Sequence, residues 1–508
     1  MRIRITFSKQ GALRYKRVPV FLLFVSAANL LFASSLPEVY AYRTPVRASP
    51  VILPLDCSQP VDADWIARVK SIRWVDYSSP SPGASLTAGT IARDLIALKK
   101  AGFTGLVTYG SLGKMGRPFL AIAQTLGFEG VIMGIWSPSS QGELKTAREA
   151  ASLPIVMGYS IGSEGLYRSR ERYNLPDLCN AISELREATG KPVATSEEID
   201  DYLLYPELRL VGDWLFPISH SYWHGVKYVL PAVRWQQAGY AYLSRKTDRF
   251  ILFKEVGLPT DGAYGLSDAN LDLYYRELAK TEVQFVYFEA FDQPSKTGST
   301  VEPYWGIFQS DRTPKSLAWN LMGYRVFPSQ GASDGWIMEC AENDQRGCEV
   351  NTGDITLLMG DDRQNRQYRA FLSFETALLP DEAMITFVKL KLKSAGVVGN
   401  NPFKRHGDST VEVCSLALGL VPGLPAKAFQ NADCIQAGVF DPQPVGNWYT
   451  AELDPASFPH IDLAGGTHFR LQFSIDDDND SRTDLIEFYS GEAAESVQPV
   501  LTVRYDLP

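Results

Sequence analysis

The stretch "PIVMGYSIGSE", Pro154 to Glu164, decides the fold. Its near-continuous apolar character over a strand's length marks a strand covered on both faces, as parallel sheets require. The run closes in Gly-Ser, and the first charge after it is Glu164. The same pattern recurs on either side. "SIRWVDY", "TGLVTYG", "EGVIMGIW", "PVATSE", "DWLFPIS", "RFILFKEVG" and "VQFVYFEAF" are short apolar runs, and amphipathic stretches such as "TIARDLIALKKAG" and "LPDLCNAISELREATG" lie between them. These stretches end in Gly close to the next run, a helix C-cap signal. Eight strand-helix units between about residues 70 and 325 match a (β/α)8 TIM barrel. The competing doubly wound open sheet predicts a GxGxxG or Walker loop after its first strand, and none is present.

Beyond the barrel the periodicity changes. "FPSQGASDG" (Phe327 to Gly335) reads as a linker, and "ITFVKLKLK", "HFRLQFSI" and "PVLTVRY" alternate apolar and polar residues. That alternation predicts an antiparallel β-sandwich over residues 336–508, after a barrel domain over 65–326. The N-terminus carries many positive charges and no acid before "VPVFLLFVSAANLLFAS", an apolar core short for a membrane span. Residues 1–41 read as a signal peptide ending at Val39-Tyr40-Ala41, with an uncleaved signal anchor as the alternative; either exports the body of the protein to a secreted, cell-surface or periplasmic location. Six cysteines suit that compartment. Cys340 with Cys348 and Cys414 with Cys434 are near in sequence and can close loops; Cys57 and Cys179 pair or stay free. No CxxC occurs and histidines number only five, so no zinc site, and no other metal or cofactor, is expected. The net charge of −9 argues against a nucleic-acid partner.

In such a barrel the working residues sit at the C-terminal ends of strands. Three carboxylates fall there: Glu164 after the fourth strand, Glu255 after the seventh and Glu289 after the eighth. An apolar strand end is a costly place for charge unless something is gained. Two carboxyls opposed across a barrel mouth are what cleavage of a glycosidic bond needs: one protonates the leaving oxygen, the other attacks the anomeric carbon or activates water. The structural alternative for each is an ordinary charge paired with Arg or Lys. Trp136, Tyr222 and Trp223 stand at strand ends where a flat ring can stack on sugar or fill the barrel top. His220 is placed to bond substrate or orient a carboxylate, and Tyr109 to touch the nucleophile. Glu197 and Glu198 close the fifth strand as lining groups or as a solvated turn, and Trp305 packs the eighth loop.

These segments carry a resemblance. "YSIGSEGLYR" resembles the acid/base segment of glycoside hydrolase family 17, the β-1,3-glucanase family; "LFKEVGLPT" resembles its nucleophile segment; "YFEAFDQPSK" with "VEPYWGIFQSDRTPK" is similar to its following block. "WVDYSS", "VTYG", "VIMGIW", "GKPVATSE" and "ISHSYWHG" fall in that family's order. The resemblance implies Glu164 as proton donor, Glu255 as nucleophile, a retaining mechanism on β-glucan, and substrate contacts from Tyr77, Tyr109, Trp136, Ser163, His220, Tyr222, Trp223, Glu289, Lys296 and Glu302. The chain departs from the family pattern at Ser163 (Asn in the family, a contact to the sugar 2-hydroxyl), Val107, Leu258, Gln293 and Ser295. Those departures sustain an alternative, a carbohydrate-binding surface protein that has lost efficient turnover.

The C-terminal part, through "LLMGDDRQNRQYRAFLSFETALLPDEAMITFVKLKLK" and "QPVLTVRYDLP", resembles the jelly-roll modules of the DNRLRE type on secreted enzymes and surface proteins, which implies a jelly-roll sandwich and a contact with glycan or the cell surface. "DDDNDSRTD" (Asp476 to Asp484) offers oxygen ligands, but its spacing is not that of an EF-hand loop, and it reads as a solvated acidic turn.

Overall fold

The computed structural model describes residues 56–80, 85–166, 171–415 and 424–507. The leader expected over residues 1–41 lies outside them. Seven strands form one parallel sheet: β1 (Trp74–Tyr77), β2 (Gly105–Thr108), β3 (Gly130–Ile135), β4 (Val156–Ser163), β5 (Val193–Ser196), β6 (Phe253–Val256) and β7 (Phe285–Tyr287), in the order β5-β4-β3-β2-β1-β7-β6. The eighth stave is the run "DWLFPIS". Its Asp213 amide donates to Val193 and its Ile218 amide to Glu197 on one side. On the other side the Leu215 amide donates to Phe250, and Leu252 and Lys254 donate to Leu215 and Pro217. Parallel bridges Glu198↔Ile218 and Ile218↔Glu255 close the ring. Pro217 has no N–H to give, which is why this stave is stitched by isolated bridges and not by a continuous ladder.

Helices α1 (Ala63–Ser71), α2 (Ala88–Lys100), α3 (Arg117–Thr125), α4 (Gln141–Ala150), α5 (Leu175–Thr189), α6 (Ile199–Leu204), α7 (Val229–Ser244), α8 (Asp268–Ala279) and α9 (Ser316–Met322) accompany the strands. Their ends are written locally. Thr87 and Thr90 form a capping box at α2, and Asn174 caps α5, which stops at Gly190 in the left-handed region. Every stave contributes to one interior cluster: Trp74, Val107, Ile132, Met157, Ala194, Trp214, Phe216, Leu252 and Val286. Val69 and Trp65 of α1 pack against it, and the Trp65 indole donates to the Met157 carbonyl. This plug fills the N-terminal end and leaves the C-terminal mouth for chemistry.

The C-terminal part is antiparallel throughout. It comprises β8 (Tyr324–Pro328), β9 (Gly335–Glu339), β10 (Gly347–Asn351), β11 (Thr356–Asp361), β12 (Gln367–Glu375), β13 (Met384–Val398), β14 (Ser409–Cys414), β15 (Cys434–Phe440), β16 (Trp448–Leu453), β17 (Gly466–Phe473), β18 (Asp484–Tyr489) and β19 (Val500–Asp506). The path β12-β11-β18-β13-β16-β15-β14-β17 returns to β12, so the sheet closes around one apolar core that includes Leu372, Leu390, Val411, Phe469 and Phe488. Closure removes the exposed edges an open sandwich would leave. Cys57–Cys179, Cys340–Cys348 and Cys414–Cys434 are disulfides. No helix among the described residues is long and apolar enough to cross a membrane.

Candidate active site

Each candidate catalytic glutamate sits at a slip in strand register, Glu164 just after one and Glu255 within the other. Between β4 and β5, Ser160 faces Ala194 and Ser163 faces Ser196, three residues against two. Between β6 and β7, Phe253 faces Phe285 and Val256 faces Tyr287, the same mismatch. A bulge of this kind re-aims side chains that a regular strand would send to opposite faces. Gly162, at φ 79°, supplies the left-handed residue in the first. Glu164 itself holds φ 50°, an uncommon conformation for a residue with a Cβ, and its amide donates to the Ser196 carbonyl at 2.8 Å.

Glu255 is 7% exposed. Its Oε1 takes a hydrogen bond from the Lys254 ammonium at 2.8 Å, and its Oε2 lies 3.1 Å from His220 Nε2. Burial alone would raise its pKa, but Lys254, then His220, hold it well below the ordinary carboxylate range. The Lys254 ammonium also sits 4.2 Å from the centre of the Tyr109 ring and 3.5 Å from Ser163 Oγ, so it links the ends of β2, β4 and β6. The Tyr109 hydroxyl is buried beside Glu255 without a hydrogen bond of regular geometry, and its pKa is driven up by burial and by the neighbouring carboxylates.

Glu289 is fully buried, with Oε1 accepting from Lys296 at 2.7 Å and Oε2 without a partner. Burial pushes its pKa to about 7 against the pull of Lys296, with Glu255 adding to the rise. Asp76, on β1, is buried with both carboxylate oxygens unpartnered. Burial, then Glu255, drives its pKa well up. The mouth thus sets one carboxylate whose charge Lys254 and His220 favour beside two acids whose burial opposes theirs.

Aromatic rings form one wall. The His220 ring lies 4.9 Å from both Phe288 and Trp305, and Trp223 lies 6.0 Å from Trp305 and 5.1 Å from Tyr222. Trp305 is buried as packing, while Trp223 and Trp136 remain about half exposed. The Arg172 guanidinium stacks 4.4 Å over Trp136, whose amide is held by Glu143. Lys296 is partly exposed beside Glu289, and Glu302 begins the short turn Glu302–Tyr304 that precedes Trp305.

One expected contact residue is misplaced. Tyr77 does not reach the mouth: its hydroxyl donates to Asp94 of α2 at 2.9 Å and its ring stacks on Phe119 of α3. Strand alternation explains the correction, because with Asp76 turned inward its neighbour must face the helices. Glu197 is neither lining nor solvated. It is fully buried, accepting from the Tyr173 hydroxyl at 2.7 Å and the Leu166 amide at 3.3 Å, with its pKa pushed to about 7 by burial. The Arg172 amide donates to Gly165 and its guanidinium to the Ser163 carbonyl. Together these groups clamp the turn that carries Glu164. Asp76 and Lys254 went unread, although a charge inside an apolar run is a signal that could have found them; Arg172 and Tyr173 carry no signal in sequence.

A glucan 1,3-beta-glucosidase of Candida albicans is 27% identical to this chain, covering 38% of it and 74% of that protein. One from Schizosaccharomyces pombe is also 27% identical, covering 38% and 69%. Among solved structures, a glycoside hydrolase family 17 β-1,3-glucanosyltransferase of Rhizomucor miehei is 22% identical over 49% of this chain and 96% of that one, with a TM-score of 0.42. An endo-laminarinase from Formosa is 15% identical over 51% and 89%, with a TM-score of 0.44. Residues 72–306, which run from just before β1 to just past Trp305, match the model of the BtgE/BtgC glycoside hydrolase domain.

Proposed function

We propose that the chain is a retaining glycoside hydrolase or transglycosylase acting on β-1,3-linked glucan. The observation that carries the reading is Glu255: a buried carboxylate kept ionised by Lys254 and His220 at the mouth of a barrel whose fourth strand ends in Glu164. The curated relatives named as glucan 1,3-beta-glucosidases support the choice of substrate.

In this reading the Glu255 carboxylate attacks the anomeric carbon while Glu164 gives its proton to the departing glycosidic oxygen, leaving a glycosyl ester on Glu255. Water, or a hydroxyl of a second glucan, then attacks the same carbon. Glu164 takes the incoming proton and the Glu255 ester bond breaks, so the anomeric configuration is kept. Trp136, Tyr222 and Trp223 supply faces for sugar rings, and Ser163, Tyr109, His220, Glu289, Lys296 and Glu302 furnish polar contacts to substrate or to the reacting pair. The leader expected over residues 1–41 and the disulfides support export, and the C-terminal sheet, read as a DNRLRE-type module, holds the enzyme to glycan or to the cell surface.

Release of reducing ends from laminarin tests the reading, with the first product's configuration followed by NMR. Wild type releases the β-anomer first, and Glu255→Gln and Glu164→Gln each lose about 10³-fold or more in kcat. Full activity in Glu255→Gln would remove the mechanism. Absence of release by wild type with laminarin binding intact would make the chain a glucan-binding protein.

A further inference from the structure

We propose that Asp361, Asp478, Asp480 and Asp484 form a calcium site in the C-terminal sheet, binding one ion through carboxylate oxygens at the end where β11 meets β18. One oxygen from each of Asp478, Asp480 and Asp484 lies within 4.8 Å of the other two. Asp478 Oδ1 accepts the Asp480 amide, Asp480 Oδ1 accepts the Arg482 amide, and Asp484 accepts from Asn400, all neutral donors. Convergence of three acids is common on surfaces and would mean little alone.

The independent observation is Asp361. It is the last residue of β11 and stands directly opposite Asp484, the first of β18, so both side chains leave the ladder on the same face. Asp361 is 0% exposed, and neither carboxylate oxygen has a hydrogen bond of regular geometry. The backbone amides of Asp478 and Asp484 face its carboxylate, at less regular geometry, so it looks toward the turn that carries those acids. Among the described residues the basic side chain beside it is His406, with Nε2 at 3.6 Å. That ring is fully buried, and neither nitrogen has a hydrogen bond of regular geometry. A buried carboxylate facing other carboxylates is costly unless a cation joins them. A solvated acidic turn does not account for a member shielded entirely from water.

The donor set selects the ion. The four groups are hard oxygens with no thiolate among them, which suits calcium's six to eight oxygen ligands at about 2.3–2.6 Å. Carbonyls of the same turn and water complete such a shell. Three turns meet here. Ser481 donates its amide to Asn365, between β11 and β12, and Asn400, between β13 and β14, donates its amide to Asp484. The ion would tie these turns together and stiffen one end of the module, as extracellular modules with dissociation constants of about 10⁻⁴–10⁻³ M do.

The full chain, stripped with EGTA, is titrated with CaCl2 in a calorimeter and melted with and without the ion. The expected result is one calcium per chain and a melting transition that rises with calcium. MgCl2 at equal ionic strength should have little effect, because magnesium demands a tighter octahedron. Asp478→Asn and Asp480→Asn lie on the turn and retain the fold, seen by circular dichroism. Each should weaken binding about tenfold or more, and Asp361→Asn likewise. No heat and no melting shift at about 10 mM calcium, an equal response to magnesium, or unchanged affinity in Asp480→Asn would each overturn the site.

Discussion

Lys254 and Glu255 are consecutive in the chain, yet the ammonium of one lies 2.8 Å from the carboxylate of the other, both buried in the barrel mouth. In a regular strand they would face opposite ways; the slip between β6 and β7 turns both inward. Lys254 is the largest influence holding Glu255 ionised against its own burial. Replacing it by Met keeps the apolar stem and removes the charge. We expect kcat/KM on laminarin at pH 5 to fall about ten- to hundredfold. The acid limb of the pH profile should also move upward, because Glu255 would hold its proton to higher pH. An unshifted acid limb would remove Lys254 from that role.

Glu164 depends on a clamp of a different kind. Tyr173 packs over the turn so closely that a Cβ on Gly165 would sit 2.2 Å from its ring, and its hydroxyl is bonded to buried Glu197. Gly165→Ala should cost about 1–3 kcal/mol by overpacking. Tyr173→Phe keeps the ring and loses one hydrogen bond, about 1 kcal/mol. It should lower kcat about tenfold with KM nearly unchanged, since Glu164 and not a sugar contact is disturbed. A rise in KM alone would mean that Tyr173 touches substrate instead.

The eight staves, the change from parallel to alternating pattern, and the placing of Glu164 and Glu255 at strand ends could be read from the sequence because each is local. A buried parallel strand is written as a continuous apolar run, and a charge that ends it is conspicuous. Tyr77 was misread because a four-residue strand gives two equivalent faces, and only the inward turn of Asp76 decides between them. Arg172 and Tyr173 were not seen because their partners, Ser163 and Glu197, lie on separate strand ends, 9 and 24 residues away, and nothing local marks them. What the run Asp476–Asp484 meets could not be read, because Asp361 is distant in sequence and comes beside Asp484 only through the β11–β18 register.

Trp223 is about half exposed while its inner edge packs against Trp305, itself buried. A ring fixed from behind and open in front loses little entropy when a sugar stacks on it. Trp223→Ala should raise KM for laminarin about tenfold and leave kcat within about threefold, because stacking on a bound sugar stabilises ground and transition states alike. A loss confined to kcat would place Trp223 in support of His220 and not of substrate.

Glu289 makes stability depend on pH in a direction opposite to that of a surface carboxylate. Its folded pKa, about 7, stands above the ordinary value of 4.5 because burial outweighs Lys296. The native state therefore binds the proton more tightly than the unfolded chain does. The resulting stabilisation is complete below about pH 4.5 and is lost as pH rises through about 7. Glu197, also raised to about 7 by burial, acts in the same sense. Glu289→Gln keeps an oxygen for Lys296 and has no proton to lose. Between pH 5 and pH 8 the wild type should surrender about 2–3 kcal/mol that the variant does not, so the two melting curves converge or cross as pH rises. Parallel pH slopes for wild type and Glu289→Gln in thermal unfolding would show that Glu289 is ionised in the folded barrel throughout this range. Lys296 would then neutralise it fully.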